Sequence, residues 1–269
     1  AHPERLVSTE WLAEHLDDPR VVVLHVGSDR DAYDRAHIPG ARFLPVSAIL
    51  VERDGNINEL PPVEHLDSVL ESVGVSDETR VVVYGQPLAA ARAFFTLDYL
   101  GHGEMTSLLD GGIEAWTAEG RPLTDQQPSV SLGNFTPRPQ DERVVDAAWI
   151  HDRLGNPGIA LLDARPEDQF TGAVAGGVDR PGHIPGAVNI FWQRMIRSTG
   201  EPRLHDAETL RALFSEAGIE PGDTVVAYCR TGMQASFAYF VARYLGHETR
   251  MYDGSFMDWS RRPELPVER

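Results

Sequence analysis

The chain has no lysine: all 24 of its basic residues are arginine. A GC-rich genome accounts for the bias, yet the absence removes mechanisms. Schiff-base chemistry needs a lysine amine, and a Walker phosphate loop needs a lysine on the phosphates. Cysteine is nearly absent as well, with Cys229 alone. One thiol makes no intramolecular disulfide, no dithiol redox pair and no thiolate zinc site. The histidines show no paired ligand spacing, so no metal is expected. No apolar run approaches the roughly 18 residues that cross a bilayer. Runs such as Val21–Leu24 and Val81–Tyr84 are strand-sized. No secretory h-region is visible, and a start at Ala1 points to trimming of unspecified kind; a cytoplasmic location is expected, with a periplasmic one left open. Positive charge is outweighed throughout, for a net charge of −17. A field of that sign repels nucleic acid and anionic membranes, so neither is an expected partner.

What is present is present twice. His37-Ile38-Pro39-Gly40-Ala41 recurs as His183-Ile184-Pro185-Gly186-Ala187. Trp11 and Leu24 match Trp149 and Leu162, and Val81–Tyr84 matches Val225–Tyr228. Leu100-Gly101-His102 returns as Leu245-Gly246-His247, and Asp110-Gly111 with Trp116 as Asp253-Gly254 with Trp259. Ordered matches at this period mean a duplicated domain rather than a solenoid. The offset changes from 138 at Leu24/Leu162 to 146 at His37/His183, so the second copy carries eight extra residues within Asp163–Gly182. That Gly-rich segment reads as an enlarged loop. Residues 1–122 and 143–269 are the expected domains. The Pro-, Gln- and Ser-rich segment 123–142 between them is an extended linker.

Within each copy helical periodicity alternates with short apolar runs. Ser8 is placed to cap a helix holding Trp11, Leu12 and Leu16. Val21–Val26 and Arg80–Tyr84 are strands, and Leu66–Val73 and Ala89–Leu100 are helices; Leu210–Ala217, Thr224–Tyr228 and Ala235–Leu245 repeat the later part. All-apolar strands flanked by helices imply an α/β fold with a mostly parallel sheet covered on both faces. The Phe237, Tyr239 and Phe240 run reads as a helix against that sheet, and Trp116 and Trp259 as core.

In such sheets ligands bind where strands end and helices begin. Cys229 stands there, after the strand Thr224–Tyr228, at the head of Cys229-Arg230-Thr231-Gly232-Met233-Gln234. Gly232 lets the loop curl so that successive amides form an anion-holding nest, reinforced by the helix that follows. An ordinary thiol is only roughly 3% thiolate at neutral pH. The amides and Arg230 are expected to lower its pKa to about 6.5, where most of it is thiolate. The first copy has Gly85 at the cysteine position and Pro87, which lacks an N–H, in its loop. It is expected to be inactive.

These residues resemble the rhodanese family, specifically the tandem-domain sulfurtransferases with a catalytic second domain and a degenerate first one. The likeness covers essentially the whole chain: the His-Ile-Pro-Gly-Ala element in both halves, the Cys229–Gln234 loop, and the ending from Tyr252-Asp253-Gly254-Ser255 to Trp259. The opening residues look like those of bacterial members. The resemblance implies ping-pong transfer without metal or organic cofactor. Cys229 takes the outer sulfur of a small anionic donor as a persulfide, then yields it to cyanide, a thiol or a thioredoxin-like acceptor; a monomer is expected. Arg230, Thr231, Gly232, Met233 and Gln234 are the implied donor-binding loop, with Arg165, and with Asp163 and His183 in support. His183 and His37 are read as braces rather than bases, and Asp163 and Asp253 as orienting loop backbone.

Two departures qualify the donor. Thiosulfate-type loops read Cys-Arg-Lys-Gly-Val-Thr and 3-mercaptopyruvate-type loops Cys-Gly-Ser/Thr-Gly-Val-Thr. Arg230 fits the first and Thr231 is closer to the second, while Met233 and Gln234 fit neither. Family members also carry a second arginine four residues after the first; here Arg165 is followed by Gln169, and Arg180 is the candidate replacement. Thiosulfate is the preferred donor on Arg230, with 3-mercaptopyruvate as the alternative. A non-catalytic binding or sensing module is the alternative of another class. A Cys-x5-Arg phosphatase loop is ruled out because position 235 is alanine.

Overall fold

A computed structural model describes residues 1–269. Strands β1 (Leu6–Val7), β2 (Val21–Gly27) and β3 (Arg42–Pro45) open the chain, followed by the hairpin β4 (Val51–Arg53) and β5 (Asn56–Glu59), then β6 (Arg80–Gly85) and β7 (Thr106–Leu109). The second half holds β8 (Val144–Val145), β9 (Ile159–Asp163), β10 (Val188–Asn189), β11 (Thr224–Tyr228) and β12 (Glu248–Tyr252). Two five-stranded sheets result, β1-β7-β6-β2-β3 and β8-β12-β11-β9-β10, both wholly parallel and in the same order. The duplication read in the sequence is a duplication of topology.

Helices α1 (Thr9–His15), α2 (Arg30–Arg35), α3 (Val63–Ser72), α4 (Pro87–Tyr99) and α5 (Gly112–Ala118) belong to the first half. Their counterparts are α6 (Ala147–His151), α7 (Glu167–Phe170), α8 (Ala207–Glu216), α9 (Met233–Leu245) and α10 (Ser255–Arg261). Ser8 caps α1 by accepting from the Trp11 amide at 3.1 Å, as its position predicts. The repeated His-Ile-Pro-Gly-Ala element is a brace. The Ile38 and Ile184 amides donate to the hydroxyls of Tyr84 and Tyr228, while His37 and His183 stack on Tyr33 and Phe170.

Helices α4 and α9 are apolar nearly all round because each is covered twice, by its own sheet and by the other helix. Phe94 meets Phe240 and Phe95 meets Tyr239 edge to face, with centroids 4.8 and 5.0 Å apart. The Phe237–Phe240 stretch therefore packs across the domain interface as well as on its sheet. Asp98 of α4 accepts from Tyr239 Oη at 2.5 Å and from Arg243 Nε at 3.1 Å. One hydrophobic core of 43 buried residues runs through both halves, which makes them a single packed body. Residues 125–140 form no helix or strand and run along the first half, where Gly133, Arg138 and Gln140 donate to the carbonyls of Glu71, Leu100 and Tyr99.

Each half also reaches over the other. The Asp54-Gly55 turn of the β4–β5 hairpin has both residues at positive φ (53° and 78°), a conformation that matches strand twist. Just past the hairpin, the Leu60 amide donates to Asp253 Oδ2 at 2.7 Å. Reciprocally, a segment of the second half closed by the Ile196–Leu204 bridge crosses to the first, where the Leu204 amide donates to Asp110 Oδ1 at 2.9 Å. Leu60 and Leu204, like Asp110 and Asp253, are equivalent positions of the repeat.

Candidate active site

Cys229 follows β11 and is 2% exposed. Its loop is fixed from below by the start of α10. Phe256 N donates to Cys229 O at 2.9 Å and Met257 N to Arg230 O at 3.0 Å, while the Cys229 amide donates to Ser255 Oγ at 3.3 Å. Ser255 itself sits at φ +55°, a strained conformation held by these bonds. Gly232 takes φ +90° as the residue before α9, which turns the chain so that the amides of Thr231, Gly232 and Ala235 all donate toward the Cys229 sulfur.

The predicted lowering of the thiol pKa is corrected here. Burial pushes the Cys229 thiol above its ordinary value; the three amides pull it down, and the Asp163 charge adds to the upward push. The amides do not overcome the loss of hydration. Arg230 is exposed and donates from Nη1 to Gly176 O at 3.2 Å.

The two predicted donor-binding arginines outside the loop both have partners within the protein. Arg165 is fully buried, clamped to Asp163 through Nε and Nη2 (Nη2–Oδ2 2.6 Å), bonded to Gly182 O and stacked on Phe256. Its Nη1 has no partner in the protein. Arg180 donates to the carbonyls of Trp259, Ser260, Arg262 and Leu265, so it closes the C-terminal end of α10 rather than replacing the arginine absent at Gln169. Long side chains become ligands or braces according to where the backbone puts them, which sequence order does not reveal. Gln169 lies under the Gly176 turn of the enlarged segment, which contains α7 as well as loop. Asp163 orients Arg165, and His183 Nδ1 donates to Phe170 O at 2.9 Å. Met233 and Gln234 are half-buried in the first turn of α9.

The sequence reading missed what the first half brings. Asn58 Nδ2 donates to Thr231 Oγ1 at 3.0 Å. Arg92 of α4, fully buried, pairs with Asp253 at 2.6 Å and stands 3.2 Å from where a Cβ on Gly232 would lie. The Asp54-Gly55 dipeptide was the available signal for the hairpin; nothing in the sequence signals where it docks. A cavity of about 530 Å³ between the halves is lined by Arg53, Glu59, Tyr99, Asp253 and Arg262 among others, and Cys229 is not among its walls.

At the equivalent place in the first half the strand end is shut. A Cβ on Gly85 would collide with the Val26 carbonyl, and Gly85 has φ +127°. By sheet register His25 and Gly27 stand where Asp163 and Arg165 do. Burial holds the His25 ring neutral, with a pKa down to about 4. Neither nucleophile nor ion pair remains there.

The rhodanese-like domain model matches twice, over residues 8–119 and 146–262. The chain belongs to the tandem rhodanese-domain sulfurtransferase family. It is 36% identical to the sulfur carrier protein TtuD of Thermus thermophilus, over 100% of this chain and 98% of that protein. It is 33% identical to a putative thiosulfate sulfurtransferase of Mycobacterium bovis (98% and 97% covered) and 34% identical to a probable 3-mercaptopyruvate sulfurtransferase of Pseudomonas aeruginosa (98% and 97%). Among solved structures, EanB carrying a cysteine persulfide with ergothioneine superposes with a TM-score of 0.88 at 25% identity, covering 98% of this chain and 70% of that one. This rhodanese-family chain has one cysteine, Cys229, and no helix long and apolar enough to cross a membrane.

Proposed function

We propose that the chain is a thiosulfate sulfurtransferase, with residues 143–269 as its catalytic domain, 1–122 as an inactive copy and 123–142 as the connection. The carrying observation is one buried cysteine at a strand end, heading a loop that Gly232 turns into α9, where the Thr231, Gly232 and Ala235 amides favour its anion. The Cys229 thiolate attacks the outer sulfur of thiosulfate; the S–S bond of the donor breaks and its electron pair leaves with sulfite. Cys229 then holds a persulfide anion, whose charge the Thr231, Gly232 and Ala235 amides neutralise. Attack by cyanide or a thiol on the outer sulfur returns the thiolate. Arg230, the exposed cation of the loop, meets the anionic donor as it arrives.

Thr231 in place of a lysine favours 3-mercaptopyruvate as the second reading. Both are tested by incubating the protein with each donor and weighing it intact. Thiosulfate adds one sulfur atom, the gain is reversed by cyanide, and Cys229→Ser abolishes it. Gain from 3-mercaptopyruvate alone selects the second reading, and gain from neither rejects sulfur transfer from these donors.

A further inference from the structure

We infer that Asn58 of the inactive domain is a positioning residue for sulfur transfer at Cys229, and that it fits the site to donors whose leaving group departs as a finished anion: thiosulfate and organic thiosulfonates. The inference rests on the thiosulfate reading and deepens it. Thr231 is the residue next but one to the cysteine, its amide points at the sulfur, and its side chain is nearly buried. A hydroxyl has one hydrogen and two lone pairs. Asn58 Nδ2 occupies a lone pair, so the hydroxyl hydrogen points elsewhere, and it meets no acceptor in the protein. It is left to donate to an anion bound against the loop.

The chemistry of Asn58 limits what this hydroxyl can do. A primary amide takes up no proton near neutral pH, so Thr231 can donate a hydrogen bond but cannot pass a proton onward. With thiosulfate none is needed: thiolate and thiosulfate give persulfide anion and sulfite, and charge balances. With 3-mercaptopyruvate the C–S bond breaks instead, its electron pair stays on carbon as the pyruvate enolate, and that carbon must then gain a proton. Charged groups around the hairpin and loop include Arg53, Asp54, Glu59, Arg92, Asp163 and Asp253. Glu59, the nearest carboxyl in sequence, lines the cavity beside Arg53, 3.7 Å away. Asp253 is held by Arg92 and the Leu60 amide.

The backbone explains the residue and offers a clean test. Asn58 has φ +67°, which asparagine and glycine tolerate and most residues do not. Asn58→Gly therefore removes the amide without backbone strain, and Asn58→Asp keeps its shape while replacing the donor by a titratable oxygen. Sulfur loading of the full chain is timed by quenched intact mass with thiosulfate, benzenethiosulfonate and 3-mercaptopyruvate, and iodoacetamide alkylation of Cys229 reports the thiol itself. Wild type loads from both sulfonates faster than from 3-mercaptopyruvate. Asn58→Gly loses about ten-fold in sulfonate loading, the order expected for a hydrogen bond that serves a charged partner, with alkylation unchanged. Asn58→Asp is slow at neutral pH and recovers toward wild type as acid protonates the carboxyl, which then donates as the amide did. A wild-type rate in Asn58→Gly, or a pH-independent Asn58→Asp to wild-type ratio, overturns the positioning role. Faster loading from 3-mercaptopyruvate than from the sulfonates in wild type overturns the donor class. No loading of wild type from thiosulfate overturns the underlying reading and this one with it.

Discussion

Three amides draw the Cys229 thiol toward its anion while burial and Asp163 oppose them, and burial is the larger effect. The nest is therefore matched less to the resting thiol than to the anionic persulfide, whose charge it meets after transfer. The sign of the pH dependence follows. Only the thiolate attacks, and below a raised pKa its fraction grows about ten-fold per pH unit. Loading from thiosulfate in a single turnover should climb with a logarithmic slope near one from about pH 6 to beyond the ordinary thiol range near 8.5. Alkylation of Cys229 should follow the same line. A plateau reached near neutrality in both measurements would show that the amides win after all. Arg230 does not alter this expectation, since its exposed guanidinium is engaged with Gly176 O and solvent screens its charge.

At the scale of elements, much of the fold is legible because it is written in apolar periodicity. The runs Val21–Val26, Arg80–Tyr84 and Thr224–Tyr228 are strands within a residue of the predicted ends, and Ala89–Leu100 lies within α4 but for its last residue. The β4–β5 hairpin escapes that reading because Val51 and Ile57 are nearly its only apolar residues, although Asp54-Gly55 announces the turn. Cys229 and its loop are legible from their place at a strand end. Arg165 and Arg180 are not, since an arginine's charge is visible in sequence and its partners are not. Arg180 illustrates the difference in a measurable way. Two carbonyls of the last turn of α10 and two of the segment after it accept from it, and the start of α10 carries the bonds to Cys229 and Arg230. Arg180→Ala should cost roughly 1–3 kcal/mol of stability, seen as a lower denaturation midpoint, because the carbonyls of buried Ser260 and Leu265 lose their donor while those of Trp259 and Arg262 keep the amides of Arg262 and Leu265. The KM for thiosulfate should stay as in wild type; a raised KM would restore Arg180 as a donor ligand.

The whole molecule is a pair of copies that hold each other by the same device, put to different use. Asp110 and Asp253 each accept the amide of an equivalent leucine from the opposite half, and each pairs with an arginine. The surroundings differ. Arg92 is fully buried and Asp253 nearly so, with side-chain exposures of 0% and 9%, and Asp253 abuts Gly232 of the cysteine loop. Arg203 and Asp110 keep 19% and 22%, and Arg203 has Glu119 and Glu201 as further partners. Burial also raises the Asp110 pKa, so ionising it already costs something. Removing one charge from the buried pair strands the other, at about 3–5 kcal/mol, whereas a partly solvated pair is worth at most about 1 kcal/mol. Asp253→Asn should therefore lower the urea midpoint sharply and slow sulfur loading, by loosening the loop from across the interface. Asp110→Asn, the same change at the equivalent position, should leave loading intact and shift the midpoint little. Because one core spans both halves, wild type and both variants should unfold in a single transition with the same m-value. Equal losses from the two substitutions would mean that the cysteine loop draws nothing from the inactive half beyond its bulk, since bulk is all the two sites would then have in common.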